Sequence, residues 1–317
     1  MNDSLELIRE KINQANCIVL TGHTNPDGDA IGACLGLATA LTKSGKQVSV
    51  ILEEYHEKYH VIPNHHFVVK QAECQKPDLF IALDCGDEER LGKAGELFKQ
   101  ADVKINIDHH ISNTYFGELN YVGANASSAS EIIFDLIDGH YEMDDDVATA
   151  LYAGICYDTG GFRHTSTSPK TMQIAGRLLE YDIAFTKIYN LFFDSRSFIE
   201  MKALGKAIEN AKLLFDDVVV FSKLSQEDMA SCGASPKDLD AIVNYLKGVS
   251  PNKIACFLYE VAPNQVKCSF RSGKKYDVAK LTMAFGGGGH VKAAGCTLNC
   301  SMEDASETIL TAIEKIL

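Results

Sequence analysis

The chain has ten cysteines but no Cys-x-x-Cys pair. That absence removes the commonest zinc and dithiol motifs. Most of the cysteines stand in apolar runs, as do Cys17, Cys34, Cys156 and Cys256, where a thiol is ordinarily a small buried hydrophobe. Cys296 and Cys300, spaced Cys-x-x-x-Cys, are not read as a metal or disulfide pair. A reducing cytoplasm is the expected compartment. No apolar run is long enough to cross a bilayer. The N-terminus, Met-Asn-Asp-Ser-Leu-Glu-Leu-Ile-Arg-Glu, reads as an amphipathic helix rather than a signal peptide. Basic charge is in short supply, with 30 Lys and Arg against 43 Asp and Glu and a net charge of −13. A protein that coats phosphates usually shows a basic face, so long duplex nucleic acid is a poor partner. A small anionic substrate remains open, because bound cations supply a local positive field whatever the global charge. There are no internal repeats or low-complexity tracts.

What is present is enough for two domains in 317 residues of ordinary apolar content. The first half alternates short apolar runs at 17–20, 48–52, 79–83 and 103–107 with helical patterns at 30–41, 128–137 and 145–157. Strand and helix in alternation imply an α/β fold with a mostly parallel sheet. A helical stretch follows at 181–212. A second, smaller α/β unit shows strands at 218–221, 254–261 and 265–271, a helix at 236–246, a turn at 291–294, a strand near 295–298 and a last helix from 303. The expected division is residues 1–185 for a catalytic domain, 186–212 for a connecting helix, and 213–317 for a smaller domain with a mixed sheet. The active site is expected in the cleft between the two domains.

Chemistry-bearing residues stand just past the strand ends. They are Gly-His23-Thr-Asn-Pro-Asp27-Gly-Asp29, Leu-Asp84-Cys-Gly, Ile-Asp108-His109-His110 and, after a helix, Tyr-Asp158-Thr-Gly-Gly. In open α/β sheets the carboxyl edge is where ligands bind. His23, Asp27, Asp29, Asp84, His109 and Asp158 together place four carboxylates and two imidazoles in one site. Their repulsion has to be relieved by protons or cations, and two divalent ions would cancel the four charges. Oxygen ligands with a minority of imidazole suit Mn2+ or Mg2+, with Zn2+ less suited. Asp84, alone at the end of an apolar strand, suits a bridging carboxylate. Two ions about 3.5–4 Å apart are the usual arrangement for phosphoester hydrolysis by a shared hydroxide. His110 is left to contact phosphate or protonate the leaving oxygen. Single residues here have ordinary alternatives as turn or cap residues. The run Asp144-Asp145-Asp146 is read as a helix cap and first turn. His56, His60, His65 and His66 are read as solvated surface.

Asp108-His109-His110, with His23-x3-Asp27-Gly-Asp29, Asp84 and Asp158 in order, resembles the DHH phosphoesterase superfamily over the whole first half. The resemblance implies one Mn2+ held by His23, Asp27 and Asp84. It implies a second held by Asp29, Asp84, His109 and Asp158, with Asp108 orienting an imidazole.

In the second half, Phe270-Arg271-Ser272 ends a strand and Gly286-Gly287-Gly288-Gly289-His290 follows a short helical stretch. A glycine loop can cradle an anion on its N–H groups, Arg271 can grip phosphate in bidentate fashion, and His290 can reach phosphate or stack on a base. Arg271, Ser272, Gly287, Gly288, Gly289 and His290 are therefore the expected substrate-binding residues. With Ala293-Ala294-Gly295 they resemble the DHHA1 domain that accompanies DHH domains. The whole chain resembles the stand-alone NrnA-type members of that family. This implies hydrolysis of very short RNA and of 3′-phosphoadenosine 5′-phosphate (pAp) to AMP, and leaves open pApA from cyclic di-AMP breakdown. The rivals are a family II inorganic pyrophosphatase and a non-catalytic RNA-binding module. The sequence is compatible with a homodimer and does not fix the oligomeric state.

Overall fold

The computed structural model describes residues 2–70, 72, 76–239, 241–249, 253–273 and 275–317. The chain divides into two compact units, Met1–Ser195 and Arg196–Leu317.

The first unit is built on five parallel strands, β1 (Cys17–Thr21), β2 (Gln47–Ile51), β3 (Leu79–Leu83), β4 (Val103–Asp108) and β5 (Leu119–Val122), in the order β2-β1-β3-β4-β5. β3 reads Leu-Phe-Ile-Ala-Leu and is buried along its whole length, as a parallel strand covered on both faces should be. β5 goes beyond the expected strands. It is short and only alternately buried, and Asn2 and Asp3 hydrogen-bond along it. The helices are α1 (Leu5–Gln14), α2 (Gly28–Lys43), α3 (Gly95–Gln100), α4 (Ala129–Ile137), α5 (Asp145–Asp158), α6 (Pro169–Leu178) and α7 (Phe185–Tyr189). α2 is apolar almost all round and is buried from Gly28 to Leu41, so it forms part of the core rather than a surface layer. Its axis passes close to α5. A Cβ on Gly32 would lie 2.5 Å from the Ala150 carbonyl oxygen, so only glycine lets the two backbones approach. Asp144 caps α5 as expected, its side chain accepting from the Val147 N–H.

Residues 181–212 are not one helix. α7 runs into a π-turn at Asn190–Asp194, and α8 (Phe198–Glu209) then starts afresh. Ser197 and Glu200 cap each other's backbone there, which satisfies a new helix start locally. α8 falls in the second unit, where Ala203 and Ala207 are buried against Val220, Leu224 and Ile242.

The second unit carries a mixed six-stranded sheet. Its strands are β6 (Lys212–Leu214), β7 (Val219–Leu224), β8 (Ile254–Ala262), β9 (Gln265–Ser272), β10 (Gly288–His290) and β11 (Ala293–Leu298), in the order β10-β11-β9-β8-β7-β6. Only the β7–β8 pair is parallel. Its remaining helices are α9 (Gln226–Cys232), α10 (Ile242–Lys247), α11 (Val278–Met283) and α12 (Met302–Glu314). The expected helix at 236–246 is a 3-10 turn, Pro236–Asp238, followed by α10; residue 240 lies outside the described residues. Residues 291–294 are not wholly a turn, because Ala293 and Ala294 already pair with Arg271 and Phe270 in the sheet.

Cys296 and Cys300 are free thiols, as are Cys34, Cys156 and Cys256. Cys17 differs from expectation, since its sulfur is engaged in a disulfide. Among the described residues no helix is long and apolar enough to cross a membrane.

Candidate metal centre

Parallel strands present their C-terminal ends on one edge, and β1 and β3 flank the point where the strand order reverses. The segment after β1 carries His23 and Asp27, the residue after β3 is Asp84, and β4 ends in Asp108 followed by His109 and His110. Asp27 caps α2 by accepting from the Asp29 and Ala30 N–H groups, and Asp29 lies in the first turn of that helix. Asp158 is the last residue of α5. Beyond it Gly160 (φ 60°), Gly161 (φ 69°) and Phe162 (φ 63°) are left-handed in succession, which turns the chain away from the helix axis. Asp84 itself has φ 53°, a conformation that β-branched side chains rarely adopt.

All six expected ligands come together. His23, Asp27 and Asp84 form one group of donor atoms, and Asp29, His109 and Asp158 form another. Asp84 stands between them. Its Oδ2 lies 3.6 Å from His23 Nε2 and its Oδ1 3.4 Å from His109 Nε2. His109 Nε2 is also 3.3 Å from Asp158 Oδ2 and 4.0 Å from Asp29 Oδ2, while His23 Nε2 is 3.8 Å from Asp27 Oδ2. Donors about 2.1 Å from a shared ion lie roughly 3–4 Å apart, so these separations suit ligands of common cations.

Neighbours orient the donors. His23 donates from Nδ1 to the Thr24 carbonyl at 2.8 Å, leaving Nε2 bare toward Asp27 and Asp84. Asp29, wholly buried, accepts from the N–H groups of Ala129 (2.6 Å) and Ser130 (2.9 Å), the first residues of α4. The positive end of that helix thus supports the carboxylate. Asp108 is buried and accepts from the His109 N–H (2.8 Å), Asn113 Nδ2 (2.6 Å) and His110 Nδ1 (2.7 Å). That last bond fixes the proton of His110 on Nδ1 and turns Nε2 outward from a half-exposed ring.

The electrostatics show a site short of positive charge. Burial, then the neighbouring Asp29 carboxylate, raise Asp84 well above the usual carboxylate range. Burial also raises Asp29, with His109 opposing. Asp158 is pushed up to about 7 by burial and by Asp29. Burial works against a charged His109, but Asp84, Asp29 and Asp158 override it and push the imidazole up to about 10. Asp108 is lowered: burial works against its charge, and His110 and Asn113 outweigh it. Asp84 Oδ1 is a buried oxygen with no hydrogen-bond donor. An orphaned buried carboxylate oxygen that faces a second imidazole suits a ligand bridging two cations. The donor set therefore fits two divalent ions, and the identity of the ion is open.

Asn113, Asn106 and the Ser128 start of α4 were not among the expected site residues. Asn113 donates to both Asp108 and Asn106 Oδ1 (2.8 Å). Ser128-Ala-Ser-Glu131 does carry a helix-start signature, but nothing local in it points to a carboxylate a hundred residues earlier. In the histidine-rich segment His56, His60 and His66 are exposed as expected, and His65 differs. His56 caps a 3-10 turn, and His65 is half-buried with Nδ1 2.7 Å from the Tyr55 hydroxyl and Nε2 buried without a partner.

In the second unit Arg271 donates from Nε to Asn244 Oδ1 (2.9 Å) and from a terminal nitrogen to the Phe270 carbonyl (2.9 Å). Ser272 is buried, and its hydroxyl donates to the Tyr276 carbonyl at 2.8 Å. The glycine run is not an open loop. Gly286 and Gly287 donate their N–H groups to the Met283 and Thr282 carbonyls, and Gly288, Gly289 and His290 form the exposed strand β10 paired with β11.

Residues 17–155 match the DHH family, N-terminal domain, and residues 218–317 match the DHHA1 domain. The bifunctional oligoribonuclease and PAP phosphatase NrnA of Thermus thermophilus is 30% identical over 312 residues, covering 95% of this chain and 90% of that protein. The chain belongs to the DHH family. An exopolyphosphatase-related protein of Bacteroides fragilis superposes with a TM-score of 0.87 at 27% identity, over 98% of this chain and 95% of the other. Exonuclease RecJ bound to manganese shares the fold, with a TM-score of 0.55 at 14% identity over 98% and 92% of the two chains.

Proposed function

We propose that the chain is a Mn2+-dependent phosphoesterase that hydrolyses very short RNA to mononucleotides and pAp to AMP. The observation that carries the phosphoesterase reading is the placement of Asp84, each oxygen facing a different imidazole between two sets of donors. The choice of substrate is supported by the T. thermophilus relative, named for these two activities and aligned over most of both chains. His23, Asp27 and Asp84 would hold one ion, and Asp29, Asp84, His109 and Asp158 the other. Such ions supply Lewis acidity and an ionised water at neutral pH.

The chain's own groups do the rest. Asp29 is locked by the α4 N-terminus, so the ligand set cannot spread. The hydrogen bond to Asp108 raises His110 from the ordinary imidazole value, so the ring takes a second proton more readily. With Nδ1 committed to Asp108, His110 Nε2 is the atom that gives that proton to the leaving oxygen. We assign Arg271 and the exposed His290 to the nucleotide end of the substrate, with the backbone of Gly287, Gly288 and Gly289 beside them. Ser272 contributes through its backbone position, its hydroxyl being committed within the unit.

The deciding assay is hydrolysis of pAp, pApA, a 5-mer RNA, a 24-mer RNA and pyrophosphate, each with Mn2+ and with EDTA. Metal-dependent turnover of pAp and the 5-mer is expected. Cleavage of the 24-mer alone, or faster release of phosphate from pyrophosphate than from pAp, would overturn the reading.

A further inference from the structure

Asn106 and Asp108 are alternate residues of β4, so they share one face of the sheet, and both are buried. Asn106 commits its amide nitrogen to backbone carbonyls, those of Ala82 (3.4 Å) and Cys85 (3.0 Å), in and just past β3. Its Oδ1 is thereby left as an acceptor, and Asn113 Nδ2 donates to it at 2.8 Å. The same nitrogen of Asn113 donates to Asp108 Oδ2 at 2.6 Å. The other carboxylate oxygen, Oδ1, takes the His109 N–H and His110 Nδ1. A flipped Asn113 amide would set its oxygen against two acceptors. Donors and acceptors thus run in one direction, from the Ala82 and Cys85 carbonyls through Asn106, Asn113 and Asp108 to the imidazole of His110.

Asn113 also closes the loop that carries that ring. Its N–H donates to the His110 carbonyl at 3.1 Å, and its Oδ1 accepts from the Tyr115 N–H at 2.7 Å. The second bond holds Tyr115 at φ 57°, a left-handed conformation that an aromatic residue keeps only when its surroundings impose it. Among the described residues Asn113 is the one donor to Asp108 Oδ2. Without its amide that buried oxygen loses its partner, and nothing holds Oδ1 rather than Oδ2 toward the imidazole.

We propose that Asn113 is the positioning residue for His110: it keeps Asp108 Oδ1 facing the ring and pins the loop on which the ring stands. The assignment rests on the role given to His110 above. In that step phosphorus gains the oxygen of a water, and its bond to the leaving oxygen breaks. The electron pair of the broken bond takes the proton from His110 Nε2, the water's proton passes to solvent, and solvent returns one to the ring. Asn113 makes no hydrogen bond to a candidate metal ligand, so its effect falls on kcat.

The test is a double-mutant cycle in Mn2+ kinetics on pAp with the full chain. Asn113→Ala should lower kcat about 10–100-fold, the range for a group that orients another. KM should stay where it is, as for an interaction used only in the transition state. In a His110→Ala background the same substitution should change kcat by less than about twofold, because residues that act as one unit are not additive. Asn113→Ser keeps an acceptor for the Tyr115 N–H but is too short to reach Asp108, so it should lose kcat as Ala does. Melts in EDTA show which variants fold, and the Ser variant carries the cycle if the Ala variant does not. An equal loss of kcat with and without His110 overturns the proposal, since Asn113 would then act on the fold or the ions. Unchanged kcat in the single variants overturns it too, as does the unfolding of both. A His110→Ala chain as active as wild type removes the role given to His110, and a wild type inactive on pAp removes the proposed function. Either result takes the assignment with it and is distinct from the additive cycle that sinks Asn113 alone.

Discussion

Replacing Asp84 with Asn isolates the bridging role from the fold. At φ 53° an Ala substitution would add left-handed strain of about 1–2 kcal/mol, whereas Asn tolerates that conformation well. In EDTA the wild-type carboxylate is buried, one oxygen lacks a donor, and Asp29 repels it. Neutralising it removes a buried group that resists ionising, so the metal-free variant should melt at the same temperature as wild type or higher. With Mn2+ the balance reverses. At a hundred times its Kd each ion contributes about 2.7 kcal/mol to the folded state. In a unit the size of Met1–Ser195 one kcal/mol moves Tm by roughly 2–4 °C. Two ions should therefore raise the wild-type Tm by about 10–20 °C. Asn offers one neutral oxygen in place of two charged ones, so both ions lose a ligand and the rise should fall below about a third of that. Thermal melts of both proteins in EDTA and in Mn2+ read all four values. The reasoning fails if the variant keeps the full Mn2+ rise. It fails equally if the metal-free variant melts well below wild type, since Asp84 would then be a structural acceptor.

Three further outcomes follow from the same geometry. Asp108→Asn keeps one acceptor oxygen but removes the negative charge that faces His110 Nδ1, and should lower kcat on pAp about 10–100-fold with little change in KM; an unchanged kcat would mean that His110 needs no such charge. Gly32→Ala puts a methyl 2.5 Å from the Ala150 carbonyl oxygen and should cost about 1–3 kcal/mol in urea denaturation, because α2 and α5 must move apart; an unchanged midpoint would refute the close-approach argument. His65 is lowered by burial and by His60, so the unfolded chain binds that proton more readily than the folded one. Its contribution is therefore intact above the ordinary imidazole value of about 6.5 and is lost as pH falls below it. His65→Gln should flatten the decline of stability between pH 7 and pH 5 (measured by urea midpoints), and an unchanged slope would place the titration elsewhere.

Among the candidate donors, His23, Asp84 and His109 were legible because each stands just past an apolar run. A parallel sheet aligns such run ends without any information about side chains, so Asp84 after Leu79–Leu83 and Asp108 closing Val103–Asp108 had to share an edge. The supports of those donors were not legible, because they come from distant segments. The α4 N–H groups that hold Asp29 are a hundred residues away in sequence, and Asn113 acts through a loop with no periodic pattern. The connecting region misled for a related reason. Its helical spacing is real, but Ser197 and Glu200 restart the helix by local capping that an apolar periodicity does not register.

Substrate groups are harder still to read, and the glycine run shows why. A row of glycines is compatible with an open anion cradle and with a tight hairpin, since both need backbone freedom. What separates the two is whether the N–H groups already have acceptors. Gly287 donates to Thr282, and a Cβ there would lie 2.3 Å from the Gly295 carbonyl oxygen, so glycine is needed at that position for close strand packing whether or not a ligand binds. Ligand chemistry leaves its mark on residue type, whereas substrate selection is written in contacts between segments.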